Sequence, residues 1–158
     1  MSHPAFPDAP GHHSLRKGRS SEPGRIYLIS ATTHGRTPVF LDFRSACIAS
    51  AAFVRPVVLG HNRLLAWVLM PDHVHWLLQL GDGEQLAGSV GRMKAVSARE
   101  VARQAERQGR VWAPAFHDRA MRREDDLVAV ARYIVANPLR AGLVRTLREY
   151  PFWDAVWL

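Results

Sequence analysis

The chain has 158 residues, 47% of them hydrophobic, enough for one domain with a substantial core and too few for two. A single cysteine, Cys47, excludes a disulfide scaffold and fits a reducing cytoplasm, and no apolar run reaches the roughly 18 residues of a membrane span. The net charge of +7 points to a polyanionic partner, usually nucleic acid, and it is concentrated: residues 92–123 hold nine basic and three acidic side chains.

Residues 1–24 are rich in Pro, Gly, Ser and His, and they read as a mobile N-terminal arm that orders partly at Leu15-Arg16-Lys17-Gly18-Arg19. The arm has no apolar h-region, so it does not read as a signal peptide. Residues 25–158 read as one domain. The stretch Arg25 to Thr33 is dense in β-formers and predicts a first strand. Asp42 is the expected N-cap of a helix reaching about Phe53, where Pro56 limits its extension. Arg63–Met70 and His73–Leu80 flank a Pro71-Asp72 turn and predict a hairpin. A helix is expected over 84–108, then a short fourth strand near Phe116. A last helix follows, with Glu124, Asp125 and Asp126 in its first turn, running to Asn137 before Pro138. This order predicts an α+β, ferredoxin-like β-α-β-β-α-β sandwich with an added C-terminal helix.

Within the second arm of the hairpin, His73 and His75 share a face, roughly 6.6 Å apart along the strand, with Val74 and Trp76 on the other. Two imidazoles on one face of a rigid strand can chelate one divalent ion and leave positions open for a third ligand and for substrate oxygens. An H-x-H triplet is by itself a weak signal in a chain with eight histidines. Its context adds weight, because two imidazoles buried in an apolar strand without partners cost several kcal/mol, on the order given for unpaired polar groups. On the last helix, Leu127, Val130, Ala131 and Ile134 form the apolar stripe, and Tyr133 and Asn137 lie together at its edge. Such a tyrosine serves packing more often than chemistry, and Asn137 is equally well a helix-terminal residue. On the 84–108 helix, Arg92, Arg99 and Arg103 line one side, joined by Arg110 if the helix continues. That stripe would track phosphates. Lys94 falls on the apolar side, where it either snorkels at the core margin or reaches a site. Arg119, Arg122, Arg123 and Arg140 flank the tyrosine helix as candidate phosphate contacts, and Trp112 and Trp153 are packing residues or stacking platforms for unpaired bases.

Three segments together resemble one known family: Leu15 to Arg19 with Pro23-Gly24 and Tyr27; Trp67-Val68-Leu69-Met70-Pro71-Asp72-His73-Val74-His75-Trp76; and Tyr133-Ile134-Val135-Ala136-Asn137-Pro138-Leu139-Arg140-Ala141-Gly142-Leu143-Val144. The stretch Phe116-His117-Asp118-Arg119 to Arg122 and the closing Pro151-Phe152-Trp153-Asp154-Ala155 extend it over about residues 15–157. The resemblance is to the REP-associated tyrosine transposases, a branch of the HUH single-strand DNA transposases within the IS200-like superfamily. It implies that His73 and His75 are the metal-binding pair, Tyr133 the catalytic tyrosine, and Asn137 a third polar ligand. It further implies a Mg²⁺ or Mn²⁺ cofactor, single-stranded or hairpin DNA as partner, and cleavage and rejoining through a 5′-phosphotyrosine. A nucleoid-associated cytoplasmic protein, monomeric or homodimeric, is expected. Many members of the branch carry Gly-Thr-Trp-Tyr where this chain has Pro23-Gly24-Arg25-Ile26-Tyr27, which leaves the DNA target open. Two alternatives stand beside this reading: a non-catalytic binder of hairpin DNA with the same fold, and a ferredoxin-like RNA-binding module with a structural metal.

Overall fold

In the computed structural model, residues 21–158 are described. The expected arm lies outside the described residues up to position 20. Its last four positions are tied down: Ser21 accepts the Leu86 N–H at 2.9 Å, and the Gly24 N–H donates to the Leu80 carbonyl at 2.7 Å.

The elements are β1 (Ile26–Thr32), α1 (Phe43–Phe53), α2 (Pro56–Leu59), β2 (Arg63–Leu69), β3 (His73–Gln79), α3 (Leu86–Gln104), β4 (His117–Ala120), α4 (Leu127–Val135), α5 (Asn137–Arg140) and β5 (Trp153–Ala155). The strands form one antiparallel sheet in the order β4-β1-β3-β2-β5. Its first four strands, with α1 and α3 as the crossover helices, have the β-α-β-β-α-β connectivity the sequence predicts. The fifth strand was not foreseen. It is three residues long, too short to show a period, and it pairs with Ala66, Trp67 and Val68 of β2.

Strand alternation divides the sheet into two apolar faces. On one, Tyr27, Ile29, Ala31, Trp67, Leu69, Val74, Trp76 and Leu78 pack beneath α1 and α3. Phe53 of α1 anchors that side, standing edge-on to Trp76 with ring centroids 5.1 Å apart. Trp112 belongs to the same cluster and donates its indole N–H to Ser97 Oγ at 3.0 Å, so it packs in the core. On the other face, Leu28, Ala66, Val68 and Leu77 receive Ala131, Ile134 and Val135 of α4, with Leu127 and Val130 half-buried beside them. A bulge between Leu64 and Ala66 turns both Leu65 and Ala66 toward this second layer.

Helix boundaries shift for local reasons. Asp42 caps α1 as expected, accepting from the Ser45 N–H at 3.0 Å. α3 ends at Gln104 rather than 108, because Glu106 adopts a left-handed φ of 52°. The acids before α4 sit outside it: Asp126 is its N-cap, accepting from the Ala129 N–H, and Asp125 caps the preceding turn through the Arg122 N–H. The last helix is divided at Ala136, since Pro138 has no N–H with which to continue the ladder. Among the described residues no helix is long and apolar enough to cross a membrane.

Candidate active site

β3 positions the two histidines. Its register sets His75 opposite Ser30 of β1 and Val68 of β2, and His73 opposite Thr32. Directly opposed residues share a face, so His73, His75 and Ser30 lie on the side covered by α4. The two imidazole rings stand nearly perpendicular with centroids 5.0 Å apart. Each ring has its Nδ1 engaged: His73 with Asp72 Oδ1 at 2.8 Å, His75 with Ser30 Oγ at 2.7 Å. Nε2 is thereby left as the available donor atom on both rings.

The electrostatics favour neutral rings. Burial pushes His75 down to about 3, helped by the positive charges of its neighbours: His73 when protonated, Arg140 and Arg36. Burial also lowers His73, outweighing the Asp72 hydrogen bond and charge that act in the opposite direction. Neutral imidazoles keep the lone pairs a metal needs, so this donor set suits a divalent ion. Among the described residues no third His, Cys, Asp or Glu is grouped with the pair, so an ion there would draw its remaining ligands from an amide, water or substrate oxygens.

Tyr133 projects from α4, half-buried at the edge of the second layer. The Arg140 guanidinium carbon lies 3.9 Å from the centroid of its ring, and the same guanidinium is among the charges felt at His75. The structure therefore brings Tyr133, Arg140, His73 and His75 to one side of the sheet. Asn137 is the first residue of α5, half-buried, and its carbonyl accepts the Ala141 N–H. The division at Ala136 means that it does not follow Tyr133 on one continuous helix.

The basic residues separate into two groups. Arg119, exposed on edge strand β4, lies opposite Leu28 and so shares the histidine face, and its guanidinium approaches the Met121 sulfur at 3.9 Å. Arg122 is exposed in the turn before α4. By contrast, α3 covers the opposite face, so Arg99 and Arg103 lie on its outer surface, away from the histidines, and Arg103 is paired with Glu100 at 2.7 Å. Arg92 is bound into the fold: its guanidinium donates to the Val58 and Leu59 carbonyls and to Glu84. Glu84 in turn accepts the His61 N–H at 3.0 Å, packed so close to Gly60 that a Cβ there would sit 2.2 Å from its Oε1. Lys94 donates to the Ala113 and Ala115 carbonyls at 2.7 and 3.2 Å, which ties the loop before β4 to α3. Arg110 lies beyond the end of α3, so the stripe does not extend to it.

Three site residues were missed by sequence reasoning. Ser30 is a polar residue inside an apolar strand, a visible signal, but assigning it to His75 requires the strand register. Asp72 read only as a turn former. Arg36, whose Nε is 3.3 Å from Asp72 Oδ2, comes from a 3₁₀ turn with no sequence signature.

Comparisons with known proteins point to one family. Residues 60–137 match the family model of the IS200-like transposases. The chain is 26% identical over 144 residues to a Haemophilus influenzae protein assigned to the REP-associated tyrosine transposases, covering 82% of this chain and 78% of that protein. It is 29% identical over 90 residues to the REP-associated tyrosine transposase of Escherichia coli K12, covering 55% of this chain and 50% of that protein. Among solved structures, a REP-associated tyrosine transposase bound to a REP hairpin superposes with a TM-score of 0.67 at 21% identity, over 85% of this chain and 79% of that one. A transposase-like protein of Deinococcus radiodurans superposes with a TM-score of 0.52 at 24% identity, over 76% of this chain and 95% of that one.

Proposed function

We propose that this chain is an IS200-like transposase that cuts and rejoins single-stranded DNA at palindromic or hairpin repeats through a 5′-phosphotyrosine on Tyr133. The observation that carries the reading is the convergence of His73, His75 and the Tyr133 helix on one face of the sheet, with Arg140 against the tyrosine ring. The REP hairpin bound by a structural relative supports hairpin DNA as the substrate.

His73 and His75 would hold Mg²⁺ or Mn²⁺, with the Asn137 amide as a further ligand. When bound, such an ion supplies Lewis-acid polarisation of a phosphate oxygen. Tyr133 is the nucleophile. Its phenolic oxygen forms a bond to phosphorus as the bond to the 3′-oxygen of the preceding nucleotide breaks. The phenol proton passes to solvent, and the departing oxygen takes up a proton as a free 3′-hydroxyl. Attack by another 3′-hydroxyl reverses these events and releases Tyr133. Covalent storage of the phosphodiester bond removes any need for a nucleotide cofactor. Arg140 holds the tyrosine ring and adds positive charge where the phosphate sits, while Arg119 and Arg122 guide the flanking strand on the same side.

Labelled single-stranded hairpin DNA incubated with the protein and Mn²⁺ tests this reading. A covalent adduct is expected, absent after chelation and absent in Tyr133→Phe. Tight hairpin binding with no adduct under any metal would instead establish a binding protein without strand-transfer chemistry.

A further inference from the structure

The two histidines are not held alike. His73 Nδ1 meets a carboxylate oxygen of Asp72, which accepts hydrogen bonds and cannot donate one, so Nδ1 must carry the hydrogen and Nε2 the lone pair. His75 Nδ1 meets the Ser30 hydroxyl, which can donate or accept and so tolerates either tautomer. The other Asp72 oxygen lies 3.3 Å from Arg36 Nε, so the carboxylate is oriented from both ends. Arg36 itself sits in a left-handed backbone conformation, φ 56°, directly after Gly35 at φ 62°. That turn is fastened to the hairpin: Thr33 donates from its N–H to the Asp72 carbonyl at 2.9 Å, while its hydroxyl closes the turn on the Thr37 carbonyl at 2.7 Å.

We propose that Asp72, braced by Arg36, is a positioning residue that fixes the tautomer and ring orientation of His73, and that Ser30 plays a weaker, permissive part toward His75. The inference rests on the reading of the histidine pair as a metal site. Asp72 acts through His73 and is not itself a ligand: it is engaged with Nδ1, and among the described residues no three His, Cys, Asp or Glu side chains are grouped to hold one ion. Carboxylates in this position orient a ligating imidazole and raise its basicity, and their loss typically weakens metal binding about 10–100-fold.

Two measurements decide it. Long-range ¹H–¹⁵N spectra of the metal-free protein read the tautomers directly. His73 is expected in the Nδ1–H form, with that preference lost in Asp72→Ala and weakened in Asp72→Asn, whose amide can donate as well as accept. Mn²⁺ affinity measured by electron paramagnetic resonance is expected to fall about 10–100-fold in Asp72→Ala and less in Ser30→Ala. The turn should survive Asp72→Ala, because Thr33 binds the backbone carbonyl of residue 72, and a thermal melt checks this. An Nε2–H tautomer of His73 in the unsubstituted protein overturns the proposal, as does unchanged Mn²⁺ affinity in Asp72→Ala. Failure of the unsubstituted protein to bind Mn²⁺ sinks the metal reading instead, and the tautomer spectra still decide the role of Asp72.

Discussion

Arg92 and Arg140 show how differently one residue type can serve the same chain. Arg92 is held by Glu84 and by two backbone carbonyls, and removing it would leave a largely buried carboxylate without its cation. Arg92→Ala is therefore expected to cost about 1.5–3 kcal/mol of folding stability, the range for hydrogen bonds to charged groups. The affinity of the folded fraction for DNA should change little. Arg140 lies on the tyrosine ring at the histidine face, and Arg140→Ala should slow adduct formation at least about tenfold, a loss of roughly 1.4 kcal/mol from the transition state, with little effect on the melt. Denaturation curves and single-turnover rates for both variants check the contrast. The reverse pattern would exchange the two roles. A helical wheel placed Arg92 on a phosphate-binding stripe, since it could not show the Glu84 carboxylate reaching back from the preceding loop.

At the scale of elements, the sequence was informative where a period or a cap existed. The β2–β3 hairpin, the Asp42 cap and the apolar stripe of α4 all follow from local chemistry. What stayed hidden depended on partners distant in sequence: the Ser30–His75 pairing, the three-residue β5, and the facing of α3 away from the histidines. β5 is held partly from outside itself, because the Tyr150 hydroxyl just before it donates to the Leu69 carbonyl of β2. Burial pushes that phenol up to about 12, above its ordinary value near 10. A raised phenol contributes stability that is complete below pH 10 and is lost as the pH climbs from 10 toward 12. Tyr150→Phe should be about 1 kcal/mol less stable at pH 7. The difference should shrink above pH 10, as urea denaturation at stepped pH will show. A constant difference up to pH 12 would contradict the assignment.

For the whole molecule, the sheet separates the aromatic core from the candidate site. One face carries the aromatic core beneath α1 and α3, and the other carries the histidines and the tyrosine helix. Phe53→Ala is expected to cost about 3–5 kcal/mol, as for other buried aromatic truncations, while the folded protein retains its Mn²⁺ affinity. A large loss of affinity in protein shown to be folded would mean that the two faces are coupled. The ferredoxin-like plan was legible because its connectivity follows from element order. The functional face required the register that sets His75 beside Ser30.

In the proposed mechanism the histidine pair and Tyr133 act on one phosphate. Replacing a non-bridging oxygen of the scissile phosphate with sulfur, and following the adduct on Tyr133, tests it most directly. One phosphorothioate diastereomer should react poorly with Mg²⁺ and recover with the more thiophilic Mn²⁺ or Cd²⁺, and this recovery should vanish in His75→Ala. Equal rates for both diastereomers with every metal, or an adduct that persists in Tyr133→Phe, would contradict the account.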